Sequence, residues 1–184
     1  MNDYSNFVGL TAAQIKRDFF GPIDLVKATE QNCGYLLAPC IDNKKAFMLA
    51  LAQRESDGGL NNVPRHELAY GPGGSYYQKD DALKAQNRRY GALAACSWSP
   101  WQIMYPVAVE LKYAGNPGDL HSPYVAAPYV VEYFNRALRR GADTLEKLFC
   151  SYNHGSFGGR DLANDAYTQA CLNFYEGFKR GSIS

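Results

Sequence analysis

The chain has 184 residues, of which 46% are hydrophobic and 20% charged, with a formal net charge of +1. That length suits one domain able to bury its own core without metal or disulfide support, and the apolar share excludes an intrinsically disordered chain. Near-neutral charge without a long Lys/Arg run argues against nucleic acid as a partner, and no segment has the length and apolarity for membrane insertion.

In chain order, residues 1–40 are expected to form an N-terminal helical extension packed on the same domain, and 41–184 the main body. A helix is expected after Thr11, a break at Gly21-Pro22, and a short helix from Asp24 to Gln31. Asp42 reads as the N-cap of a helix from Asn43 to Glu55, closed by Asp57-Gly58-Gly59. Residues 58–78, rich in Gly, Pro and Tyr, suit a long functional surface loop, and a polar helix follows from Asp80 to Arg89. The irregular stretch Cys96-Ser97-Trp98-Ser99-Pro100-Trp101 leads into a helix after Pro106. Three further helices are expected over Pro128 to Arg140, Asp143 to Tyr152 and Asp161 to Phe178. Almost nothing alternates with period two, so the predicted class is mainly α, with at most a small β-hairpin inside residues 58–100. Arg88-Arg89 and Arg139-Arg140 read as solvated faces.

Five cysteines without a C-x-x-C pair point to free, mostly buried thiols, with a Cys33–Cys40 bridge left open. Three histidines, none in an H-E-x-x-H arrangement, offer no helix-face metal pair, and neither metal nor other cofactor is expected. The opening Met-Asn-Asp-Tyr-Ser lacks the basic and then apolar regions of a secretory leader, so synthesis in the cytoplasm is expected. A monomer is expected too.

The residue that carries chemistry is Glu55. Phe47, Ala50 and Leu51 stand at i, i+3 and i+4 of their helix, and Glu55 falls at i+8 on the same stripe. A carboxyl among apolar neighbours has its charged form disfavoured, and a general acid that protonates a glycosidic oxygen needs that property. The competing structural reading pairs Glu55 with Arg54 or with a cation from elsewhere at a helix end.

Three strings shift the balance. Ala50-Leu51-Ala52-Gln53-Arg54-Glu55-Ser56 resembles the catalytic-helix end of the goose-type lysozyme and soluble lytic transglycosylase superfamily, where the catalytic Glu precedes Ser. Ser97-Trp98-Ser99-Pro100-Trp101-Gln102-Ile103-Met104 is similar to that family's second motif, with Gln102, Met104 and Pro106 in matching places. Ser151-Tyr152-Asn153-His154-Gly155 resembles its Ala-Tyr-Asn-Ala-Gly motif, and Ala163-Asn164-Asp165-Ala166-Tyr167 its closing helix. The strings occur in family order. Ser99-Pro100-Trp101 replaces the usual Gly, so the backbone there departs from the family pattern. Forty-seven positions separate Glu55 from Gln102, which implies an insertion carrying His66 to Tyr70 and Gly73 to Tyr77 as a loop over the substrate.

The resemblance implies a helical lysozyme-like domain in which a long loop or small β-hairpin flanks a glycan-binding cleft. It implies cleavage of peptidoglycan glycan strands at the β-1,4 bond between N-acetylmuramic acid and N-acetylglucosamine. Glu55 would be general acid, then base, as in a lytic transglycosylase, with action on the cell wall after release or export. Ser97, Gln102 and Met104 would line the cleft, Tyr152 would donate to Glu55 or to substrate, and Asn153 would fix the following turn; for Gln102, satisfying buried backbone groups of an irregular loop is an equal alternative to binding a sugar. Read from the residues themselves, Trp98, Trp101, Tyr76 and Tyr77 are candidates to stack on sugar faces, with burial in the core as the competing reading and the better one for Trp98. The hydrolytic alternative, a muramidase, needs a second carboxylate, for which Asp57, Glu67, Asp80 and Asp81 are the candidates. Two other classes compete: a peptidoglycan peptidase with Cys96 as nucleophile and His121 or His154 as base, and a glycan-binding module without turnover.

Overall fold

The structure is a computed structural model that describes residues 21–183. The helix expected after Thr11 lies outside them. Seven α-helices and a small antiparallel sheet are described: α1 Pro22–Asn32, α2 Lys44–Ser56, β1 Arg65–His66, α3 Asp81–Tyr90, β2 Cys96–Trp98, β3 Ile103–Met104, α4 Tyr105–Glu110, α5 Pro123–Arg139, α6 Leu145–His154 and α7 Ala166–Lys179. The class is mainly α, as the weak period-two signal implied.

α2 is the central element. Ala46, Phe47, Met48, Ala50, Leu51 and Ala52 are all buried, so its apolar surface extends well beyond the expected stripe. Its alanines let neighbours approach closely, and α7 packs along it while α1 lies against both α2 and α5. Phe47 stacks on Phe149 of α6 at 4.6 Å between ring centroids and meets Phe134 of α5 edge-on at 4.8 Å, which joins three helices at one point.

Capping explains where the helices begin and end. Asn43, not Asp42, caps α2: its side chain accepts the Ala46 N–H at 3.0 Å. Asp42 instead accepts the Tyr175 hydroxyl of α7 and the Lys179 ammonium, the latter at 2.7 Å. At the other end Asp57 takes a left-handed φ of 53°, and Gly58 returns its N–H to Ala52. α5 starts five residues before the expected Pro128, because Pro123 occupies its first turn. Pro128 sits inside the helix with its ring on an exposed face. α7 starts later than expected, at Asp165, whose side chain accepts the Thr168 N–H at 2.8 Å.

The sheet differs from a hairpin within residues 58–100. β1 and β2, separated by residues 67–95, pair Arg65 with Ser97 and His66 with Cys96, while β2 and β3 pair Ser97 with Met104 and Trp98 with Ile103. Partners directly opposite share a face, so Arg65, Ser97 and Met104 form one row. Trp98 and Ile103 turn into the core. All five cysteines are free, so Cys33 and Cys40 are unbridged. No helix among the described residues is long and apolar enough to cross a membrane.

Candidate active site

Glu55 stands on the last turn of α2, and the next residue fixes where that turn lies. The Ser56 hydroxyl is buried, reaches the Pro100 carbonyl at 2.6 Å and accepts the Gly59 N–H at 3.0 Å. The helix end is thereby tied to the turn between β2 and β3.

That turn is strained, with Ser99 at φ 71° and Gln102 at φ 51°. Gln102 holds it together from inside. Its amide nitrogen donates to the Ser99 carbonyl at 3.0 Å and to the Val63 carbonyl at 3.2 Å. Its amide oxygen accepts the Ser97 hydroxyl at 2.7 Å and the Arg65 Nε at 2.9 Å. The other end of the Arg65 guanidinium reaches Glu55 Oε2 at 2.7 Å. Ser97, Gln102, Arg65 and Glu55 are therefore one connected network, with the Glu55 side chain 9% exposed at its inner end.

The other carboxylate oxygen accepts the hydroxyl of Tyr167 from α7. Arg54 lies over the Tyr167 ring, 5.1 Å from its centroid. Burial, and then the Glu55 charge, push the phenols of both Tyr167 and Tyr152 well above the ordinary tyrosine range, so both stay protonated donors. The Cys171 thiol beside them is pushed up to about 12 by burial and then by Glu55.

Glu55 opens onto a groove of about 790 Å³. Ser97, Gln102, Met104, Tyr152, Asn153 and Tyr76 all line it, so the three strings and the insertion converge on one place. Tyr70 and Tyr76, their rings 4.9 Å apart, supply an aromatic wall from the insertion. The insertion is anchored by Asn87 of α3, which donates to the Tyr70 carbonyl at 3.2 Å. It is also folded tightly, since a Cβ on Gly74 would meet the Leu68 carbonyl oxygen at 2.2 Å.

Several assignments change. Trp101 does not line the groove: it is fully buried, and its indole N–H donates to the Met48 carbonyl at 2.9 Å, so it offers no ring face to a sugar. Trp98 is core, the reading its sequence context favoured, with its indole N–H on the Leu93 carbonyl. Tyr152 donates to the Trp101 carbonyl at 2.8 Å rather than to Glu55, because Tyr167 occupies that place. The Gln102 amide takes the second of its two expected roles, satisfying the Ser99 and Val63 carbonyls, and also positions Arg65. The tip of Glu55 is met by a cation and a phenol, and the surroundings are not the wholly apolar ones expected of its helix stripe. Of the four second-carboxylate candidates, only Glu67 lines the groove. Asp57 accepts the Gln53 amide at 2.7 Å, Asp80 caps α3, and Asp81 pairs with Lys84 at 2.8 Å.

Arg65 and the α5 residues Tyr133, Arg136 and Arg140 also line the groove and were not foreseen. Arg65 needed the strand register to be known. Tyr167 did carry a signal, as the last residue of the closing-helix string.

The rival chemistry finds no support in the geometry. Cys96 is fully buried with its thiol on the Ala92 carbonyl at 3.4 Å, and burial, then Glu67, push that thiol up to about 12. His154 is engaged with Asp165 at 2.9 Å, and His121 is buried. Among the described residues no group of His, Cys, Asp and Glu could hold a metal. A second hollow of about 440 Å³ between α1, α2 and Phe178 is mainly apolar; of its polar members, Asn43, Gln53 and Asp57 serve the ends of α2 and Lys45 pairs with Glu30. No known protein family, characterised protein or solved structure matches the chain.

Proposed function

We propose that the protein cleaves peptidoglycan glycan strands at the bond between N-acetylmuramic acid and N-acetylglucosamine, on a lysozyme-like helical framework, with Glu55 as general acid. One observation carries the reading. Glu55, Ser97, Gln102, Met104, Tyr152 and Asn153 come from three strings spread over about a hundred residues, and all face a single groove of about 790 Å³.

In the described arrangement Glu55 accepts at both oxygens. For the acid role Oε2 carries the proton, so the half-exposed Arg65 side chain swings aside as a sugar enters, while Tyr167 keeps hold of Oε1. Glu55 then protonates the glycosidic oxygen as the bond to the muramyl C1 breaks. In the transglycosylase course the muramyl C6 hydroxyl attacks C1 and returns its proton to Glu55, closing a 1,6-anhydro ring without consuming water. The hydrolytic course is the second reading, favoured by one observation: Glu67 lines the groove with no ion pair or side-chain hydrogen bond among the described residues. There it would take the proton of a water attacking C1, giving a reducing end.

Mass spectrometry of the fragments released from purified sacculi tests this directly. Wild type is expected to release anhydro-ended or reducing-ended muropeptides, and Glu55→Gln to lose at least about a hundredfold in rate with its fold intact. Cut peptide stems, undiminished lysis by Glu55→Gln, or binding of sacculi without any release would overturn the proposal.

A further inference from the structure

The groove holds more charge than cleavage requires, and most of it is internally matched. Glu55 is paired with Arg65, Arg136 with Glu110 at 2.9 Å, and His154 with Asp165. Two groups remain without an ion pair or side-chain hydrogen bond among the described residues: Glu67 on the insertion side and Arg140 at the end of α5. An arginine that lines a glycan-sized groove without an ion pair among the described residues is placed to meet a carboxylate on the ligand.

Its position relative to Glu55 gives that charge a direction. Tyr133 and Arg136 follow one another along one face of α5, and Arg140, the residue that caps it, continues that face with its backbone about 10 Å beyond that of Tyr133. Tyr133 marks the catalytic end, since its ring meets that of Tyr152 edge-on at 5.0 Å and its hydroxyl reaches the Ser151 carbonyl at 2.5 Å. The facing segment after α6 leaves room. Gly155 and Gly158 both line the groove, and a Cβ on either would meet nothing within 4 Å. The helix C-terminus also favours a cation at Arg140, but that alone would not require the side chain to border the groove.

We propose that Arg140 forms a carboxylate-binding subsite that reads the acidic substituent of a muramyl residue, either its lactyl carboxylate or a carboxylate on the peptide stem. Glu67 on the other wall repels the same group, so the pair of unmatched charges sets which way the strand lies. This inference rests on the glycan-cleaving reading and names the substrate feature that the groove selects.

The test is equilibrium binding to the Glu55→Gln protein, which removes turnover. Four ligands are compared: N-acetylglucosaminyl-N-acetylmuramic acid, the same disaccharide carrying a dipeptide with a free terminal carboxylate, that dipeptide as its carboxamide, and chitobiose. At least one carboxylate ligand is expected to bind about tenfold or more tightly than its uncharged counterpart, and the identity of that ligand assigns the source of the carboxylate. Adding Arg140→Gln should remove the difference, and Arg140→Lys should keep part of it. Arg140 is exposed and serves the helix end through its backbone, so these variants keep the fold. Equal binding of the carboxylate and uncharged ligands, or a difference that survives Arg140→Gln, overturns the subsite while leaving the cleavage reading intact. If none of the four binds, the glycan reading falls and the subsite falls with it.

Discussion

Glu55 is held from both sides by donors, and the two differ in how easily they let go. Arg65 reaches it across a groove with half its side chain in water, whereas Tyr167 is 8% exposed and comes from inside the helix packing. The first is a half-solvated contact and the second a buried support; in the proposed reaction a sugar displaces the first. Tyr167→Phe keeps the ring under Arg54 and removes only the hydroxyl. It is expected to lower kcat about ten- to a hundredfold with KM nearly unchanged and little change in Tm. A ring that served packing alone would leave kcat where it was. Residue types and order pointed to Glu55 and to the strings around Gln102 and Tyr152. They could not show that the Gln102 amide is used up by Ser97, Arg65, Val63 and Ser99, because three of these four partners are set by the strand register and by loop closure.

At the scale of elements, punctuation located the helices better than it located their ends. Pro128 read as a helix start and is instead an interior residue, where it withholds an N–H from the preceding turn while its ring faces solvent. Pro128→Ala is expected to stabilise the protein by about 1–3 kcal/mol, read as a raised denaturant midpoint with an unchanged slope. α7 shows the opposite error, since Asp165 and not Asp161 is the cap. Thr168, and then His154, hold the Asp165 carboxyl down at about 2. A depressed folded-state value means that this group adds stability above the ordinary aspartate range of about 4, and that the contribution drains away as pH falls through about 2. Asp165→Asn should therefore be less stable than wild type at neutral pH, and denaturation curves of the two should converge over that acid interval. A constant gap across it would show that Asp165 acts only as a neutral cap.

In the whole molecule, the site exists because α2 is surrounded. Phe47 lies where α2, α5 and α6 meet, and the same helix carries Glu55 at its far end and hydrogen-bonds Trp101 of the β2–β3 turn through Met48. Phe47→Ala should cost about 3–5 kcal/mol in urea unfolding, and any surviving activity should fall with the folded fraction. Tyr70 and Tyr76 from the segment between β1 and α3 line the groove together with Tyr133 and Arg136 of α5.

Composition and local pattern were enough for a mainly helical class, the central helix, the candidate acid and the expectation that the Glu55–Gln102 interval carries a loop near the substrate. Those features depend on neighbours a few positions apart, and such neighbours are written side by side in the chain. Only the tertiary structure decided that Trp101 is core, that Tyr167 rather than Tyr152 donates to Glu55, that Arg65 lines up with Ser97, and that Arg140 borders the groove. Each of these depends on residues brought together from distant parts of the chain, by strand register or by helices crossing, and neither leaves a period in the local sequence.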